Sequence, residues 1–288
     1  MNETQKQEFI GKLLEISKKE IGITYRKSEI PLSSGCSKIG GIPDVPKGFE
    51  WPWFSGKVYG EEENVSRPLS FLAQINLKDV AHLDEEGMLP KTGVLSFFYE
   101  LETMTWGFTP EDKGAARVFY FPEEEELVAD GCPMELDDSM ILPELALEFR
   151  SQISLPDYAC FDTEGKYEYD DYESCCAECG YTYDGWGERT KLLGYPDVIQ
   201  NPMEEECERV TRGYSCGSPE DYAKIPDAEK ADIKEKASDW MLLFQMGTVS
   251  VDAYELMFGD CGHIYFWIKK SDLINRDFER VWLVLQCG

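Results

Sequence analysis

The chain has 288 residues, 42% of them hydrophobic and 13% aromatic, which is enough apolar material for a packed core in one large or two modest domains. That composition excludes long-range disorder, which needs low hydrophobicity as well as high charge. Asp and Glu number 56 against 28 Lys and Arg, a net charge of −28. This argues against a nucleic-acid backbone or an anionic membrane as partner and suits a basic one.

The first eight residues have no basic start leading into an apolar run, so no secretory signal is expected. Phe9, Ile10, Leu13, Leu14, Ile16 and Ile21 then share a helical face, predicting one amphipathic helix over residues 4–21. Thr4 and Gln7 have the form of a capping box, and Gly22 supplies the stop. Residues 33–53 are dense in Gly and Pro and read as an irregular packed loop. Strands are expected at 69–76, 93–100, 116–121 and 145–155. The glutamates at 123–126 read as a solvated turn. Residues 157–187, rich in Tyr, Asp, Glu and Cys, read as an irregular insertion. A helix follows at 227–238, then strands at 240–246, 263–268 and 281–286, with a short helix capped by Ser271 or Asp272 between the last two. The strongest apolar run, residues 281–285, is far short of the ~20 needed to span a bilayer, so the expected location is cytoplasmic. There the ten cysteines stay reduced.

Three blocks recur in order. Ile39-Gly40-Gly41-Ile42-Pro43-Asp44-Val45 matches Leu192-Leu193-Gly194-Tyr195-Pro196-Asp197-Val198 at an offset of 153 (194 minus 41). Leu72-Ala73-Gln74-Ile75 matches Leu243-Phe244-Gln245-Met246 at 171, and residues 93–98 match 262–267 at 169. The ordered set indicates duplication, with halves near 30–150 and 188–288. If the halves pair about a two-fold axis, the two Gly-x-Pro-Asp loops and the two glutamines could line a shared cleft. Turn chemistry alone also accounts for Gly-x-Pro-Asp.

Lys38-x-Gly40-Gly41-x-Pro43-Asp44-x-Pro46 followed by Trp51-Pro52 resembles the opening signature of the YwqG-like family, bacterial proteins of unknown function. Phe71 to Leu77, Leu89-Pro90, Leu192 to Gln200 and the run from Trp240 through Gln286-Cys287 are similar to that family too. The resemblance implies a single domain over 1–288, an α+β fold built from duplicated β-rich units with an N-terminal helix and a few peripheral ones. It implies no activity. Cys261, His263 and the cysteine-bearing insertion depart from the family pattern, so chemistry resting on them would not be common to it.

No phosphate loop, dinucleotide fingerprint or nucleophile elbow is present, and with two histidines a histidine-rich catalytic metal site is excluded. Cys261 and His263, two apart on a strand, could share a face as a thiolate–imidazolium pair, or be a semi-buried thiol beside a surface histidine. Cys176-x-x-Cys179 is half a zinc site that Cys175, Cys207 and Cys216 could complete, the alternatives being a disulfide or plain thiols. No catalytic residue and no cofactor is expected. The leading reading is a non-enzymatic binding protein that holds a basic protein or peptide, in an immunity-like role, with Trp51, Trp53, Trp186 and Tyr195 as anchors. The alternative is a small-ligand binder or enzyme with its site between the repeats, lined by Lys38, Gly41, Asp44, Trp51, Gln74, Tyr195, Asp197, Gln245 and Asp260.

Overall fold

The N-terminal segment does not continue as one helix. Asn2 caps α1 (Glu3–Ile16): its side chain accepts from Gln5 N–H while the Gln5 side chain accepts from Asn2 N–H, so the capping box is Asn2/Gln5 and not Thr4/Gln7. Ser17 is extended, and Lys18–Lys27 forms strand β1. Ile21, Ile23, Thr24 and Tyr25 are β-branched or aromatic, and both edges of the strand find partners, so pairing overrides the helical spacing of Ile21. The protein is described by a computed structural model over residues 1–58, 63–123, 125–161, 167–181 and 187–288.

Nine further strands join β1 in one sheet: β2 (Lys38–Ile39), β3 (Ser70–Asn76), β4 (Val94–Tyr99), β5 (Ala116–Phe121), β6 (Leu145–Ser154), β7 (Thr190–Leu192), β8 (Trp240–Met246), β9 (His263–Lys269) and β10 (Trp282–Gln286). The strands expected from alternation form as β3 to β6 and β8 to β10, and the helix expected at 227–238 forms as Asp227–Ala237. The spatial order is β10-β9-β8-β7-β1-β6-β2-β3-β4-β5, every neighbour antiparallel.

That order reads the same from either side of the central pair, β1 to β5 corresponding to β6 to β10. Glu20 of β1 and Glu144, immediately before β6, occupy matching positions at an offset of 124 (144 minus 20), since Ile21 pairs Leu192 as Leu145 pairs Ile39. In the β1–β6 ladder, Thr24 faces Glu148, which is the same offset (148 minus 24). A pseudo-two-fold axis therefore passes between them. It also passes between Phe97 and Phe266, matched at an offset of 169, whose rings lie 5.3 Å apart in the core. The first strand of each unit is exchanged: β1 adds to β7 of the second unit, and β6 adds to β2 of the first.

Alternate residues of each strand face opposite sides. Phe97, Phe244 and Phe266 point into the central core, while Tyr265 and Trp267 pack beneath helix α2 (Glu204–Thr211), beside Met203, Cys207 and Val210. On the first unit, Phe98 and Phe71 are covered by a ribbon of residues Trp53–Gly56 and Val65–Pro68. The two free edges approach each other. Tyr120 of β5 packs on Phe278 (ring centroids 5.8 Å), and Leu285 N–H of β10 donates to Trp106 O at 2.9 Å, so the sheet nearly closes on itself. The insertion is more ordered than its composition suggests, because Tyr169–Glu178 is helical and buries Tyr172, Cys175 and Cys176 against Phe9 and Leu13 of α1. Among the described residues no helix is long and apolar enough to cross a membrane.

Candidate functional site

At the end of β2, Gly40 (φ 60°) and Gly41 (φ 71°) take left-handed conformations that swing the chain back over β3. Asp44 thereby meets Gln74, which pairs with Lys38 across the ladder. The Gln74 amide holds the loop at three points. Its Oε1 accepts Asp44 N–H at 2.9 Å, and its Nε2 donates to Asp44 Oδ2 and to Cys36 O, both at 2.7 Å. Lys38 Nζ lies 3.3 Å from Asp44 Oδ2 and 3.3 Å from Glu144 Oε2.

The second unit repeats this arrangement atom for atom. Gln245 Oε1 accepts Asp197 N–H at 2.9 Å, and Nε2 donates to Asp197 Oδ2 at 2.6 Å and to Arg189 O at 3.1 Å. Lys191 Nζ lies 3.1 Å from Asp197 Oδ2 and 2.9 Å from Glu20 Oε2. Arg189 stands at the position of Cys36 (189 minus 36 is 153) and adds a second cation, 2.5 Å from Glu20 Oε1 and 3.1 Å from Asp197 Oδ1. Each unit thus receives its last carboxylate from the exchanged strand of the other.

The two clusters differ in charge and hydration. In the first, Lys38 serves two carboxylates, and Glu144 is 38% exposed. In the second, two cations meet two carboxylates with no side chain more than 10% exposed. Burial alone would raise the Asp197 carboxyl, but Lys191, Arg189 and the Gln245 amide more than offset it and hold it below the usual carboxylate range. It stays ionised at neutral pH. Both carboxylates of this cluster are held by its two cations, and the arrangement ties the two units together.

Gly194, matched to Gly41, lies at φ 75°, and a Cβ there would sit 2.7 Å from both Glu20 Cβ and Ser154 Oγ. Gly194→Ala is expected to cost about 2 kcal/mol in urea denaturation, from left-handed strain plus displacement of Glu20.

Gln74 and Gln245 do not converge on a shared cleft. Each is flanked by core-facing neighbours, Ala73 and Ile75 for Gln74 and Phe244 and Met246 for Gln245, so both amides sit on the face turned away from the core that the units share. Lys38, Gly41, Asp44 and Gln74 form one cluster, and Asp197 and Gln245 belong to the other. Trp51 is in neither; its indole N–H donates to Leu69 O at 2.9 Å and its ring packs edge-on against Phe98. Tyr195 follows Gly194, donates its hydroxyl to Ile16 O at 2.8 Å and lies under Lys18 Nζ. Asp260 is exposed, with its backbone oxygen bonded to Gly288 N–H. Trp186 and the acidic stretch 162–165 lie outside the described residues.

Cys261 and His263 do not pair. Cys261 turns outward at φ 50° before the strand begins, whereas His263 is fully buried and neither ring nitrogen has a hydrogen-bond partner among the described residues. Cys175, Cys176 and Cys179 pack beside α1, and Cys207 and Cys216 lie in a separate cluster beneath β8 to β10. Among the described residues no three His, Cys, Asp or Glu side chains are grouped to hold a metal ion. Burial pushes the Cys160 and Cys176 thiols up to about 12.

A family model for a domain of unknown function, DUF1963, matches residues 37–287. The chain belongs to the DUF1963 family. No functionally curated protein matches it. The DUF1963 span opens one residue before Lys38, so it contains both Lys–Asp–Gln sets and Glu144, while Glu20 lies ahead of it. In this DUF1963 chain Lys191 was legible at the 153-residue offset from Lys38. Glu20, Glu144 and Arg189 were not, because the glutamates follow the different offset of 124 and Arg189 replaces a cysteine.

Proposed function

We propose that this protein is a non-enzymatic, cytoplasmic binding protein whose partner is a basic protein or peptide, in the immunity-like role to which its resemblance to YwqG-like proteins leaves room. One surface carries the reading. Residues 122–142 contain no Lys or Arg, and Glu123, Glu125, Glu126, Asp130, Glu135, Asp137 and Asp138 are all exposed. Set among them are apolar side chains left in solvent: Met134 at 99% exposure and Val128 at 40%. The ribbon joining Leu127–Ala129 to Asp44–Pro46, extended by the Asp130 N–H bond to Pro43 O, brings Ile42 (48% exposed) to the same region. Acidic groups with apolar anchors suit a basic amphipathic segment, the charges steering its approach and the anchors holding it. Trp53, 40% exposed, is a further anchor. Closed, internally satisfied polar clusters in place of an open catalytic constellation support binding over catalysis.

A peptide of alternating Lys and Leu, followed by calorimetry at 50 and 300 mM salt, tests this. Binding should weaken steeply with salt, fall several-fold in Glu125→Lys/Glu126→Lys, and fall again in Ile42→Ser/Val128→Ser. Binding indifferent to both pairs of substitutions would reject this surface.

A further inference from the structure

Between the free edges of the two units lies a groove of about 550 Å³, lined by Lys113 and Arg117 from the first unit and by Arg212, Lys269, Trp240 and Trp282 from the second. We propose that this groove binds a small amphiphilic anion, with a phosphate or carboxylate head and a ring or hydrocarbon body. The inference does not depend on the acidic surface described above.

Charge is the first support. Acids outnumber bases two to one in the whole chain, yet this groove has five basic residues against three acidic ones, Arg280 being the fifth cation. Arg280 is held by Asp277 at 2.8 Å, Arg212 by Glu208 and Asp232, and Lys269 by Glu208; Lys113 and Arg117 on the first unit's wall have no ion-pair partner among the described residues, and neither have Asp272 and Glu279 on the second unit's wall. Lys113 and Arg117 thus place two unpaired cations on one wall of the concavity, where the head of an anion can meet them.

The second support is the way the far wall is built. Glu208 is 2% exposed and accepts from three residues: Arg212 through Nε at 2.8 Å and Nη2 at 2.6 Å, Lys269 Nζ at 2.7 Å and the Trp240 indole at 2.8 Å. Burial raises its carboxyl, but bonds from Lys269, Trp240 and Arg212 hold it below the usual range, so it remains ionised and keeps both cations in place. Arg212 is engaged through Nε and Nη2 by Glu208 and through Nη1 by Asp232, whereas Lys269, 27% exposed, gives Glu208 one bond and leaves ammonium donors open to the groove. Arg forks and Lys ammonium groups on opposite walls suit an oxyanion between them. Val210, Val281 and the rims of the two tryptophans supply an apolar side for the ligand body, and the volume is that of a small-molecule site.

The test follows the indole ¹H–¹⁵N signals of Trp240 and Trp282 while phenyl phosphate, benzoate or neutral benzyl alcohol is added to the full chain. A saturable shift with an anion and none with benzyl alcohol is expected, and the stronger of the two anions identifies the head group. Lys113→Glu/Arg117→Glu should weaken that binding at least about tenfold without changing the melting temperature, because both side chains are exposed. Lys47→Glu/Lys91→Glu makes the same charge change at exposed positions outside the groove and should leave binding within about twofold. Silent indoles with both anions, or equal losses in the two double variants, would overturn the proposal.

Discussion

Lys191→Met is expected to lower the unfolding free energy by about 3–5 kcal/mol, because it leaves a carboxylate unmatched in a cluster that water does not reach. Glu20 and Asp197 are 0% and 4% exposed at their side chains, and Arg189 alone would have to neutralise both. The same substitution at Lys38 should cost a comparable amount, about 3–5 kcal/mol. Asp44 is 3% exposed at its side chain and loses its only cation among the described residues, while Glu144 is already partly hydrated and adds little. Guanidinium denaturation of the two variants beside the parent reads both losses. A loss below about 1 kcal/mol at either lysine would mean that water reaches the carboxylate left behind.

The loss at Lys191 also reports on how the units are joined. Glu20 comes from β1, the strand that the first unit lends to the second, so its bond to Lys191 works only when that strand is docked. Glu20→Gln on the Lys191→Met background removes the unmatched charge and should recover about half of the loss, a coupling that a double-mutant cycle isolates. Recovery would locate the cost in the buried charge; no recovery would locate it in lost packing of the lysine stem.

The strands that alternate or run apolar were legible, since β3, β4, β8 and β9 carry six or seven residues whose patterns only a sheet satisfies. The two-residue strand β2 and three-residue β7 were not, because so short a segment carries no period; each exists because Lys38 or Lys191 is fixed across the ladder from a glutamine. The exchange of β1 and β6 was hidden for a different reason. Ile21 falls in phase with the helix before it, and the block offsets of 153, 171 and 169 give no hint of the 124 that relates Glu20 to Glu144. Asp44, Gln74, Asp197 and Gln245 were singled out as the lining of one cleft between the units; instead each glutamine binds the aspartate of its own unit, because both glutamines lie on the face turned away from the shared core. The groove of Lys113 and Arg117 was invisible in the chain, as those two cations lie nearly a hundred residues or more from the second unit's Arg212, Lys269 and Arg280 and meet them only when the sheet closes.

His263→Leu is expected to make stability less sensitive to acid. The duplicated architecture already shows what this position tolerates, since its match in the first unit is Val94 (263 minus 94 is 169), buried like His263. Burial, with Lys191 and Arg189 nearby and only Asp197 opposing, lowers the imidazole from 6.5 to about 4. Between those values the unfolded chain holds a proton that the folded chain refuses, so stability falls as pH drops through that window and is fully present above about 6.5. From pH 7 to pH 5 the imidazole should cost the parent about 2 kcal/mol. The leucine variant loses none of that, while the carboxylates contribute equally to both proteins. At pH 7 the two should lie within about 1.5 kcal/mol, the removal of two unpartnered nitrogens offsetting an imperfect fit. Urea denaturation at both pH values gives the comparison. Parallel acid losses in parent and variant would show that His263 takes up its proton in the folded state, which would require a hydrogen-bond acceptor to swing toward the ring.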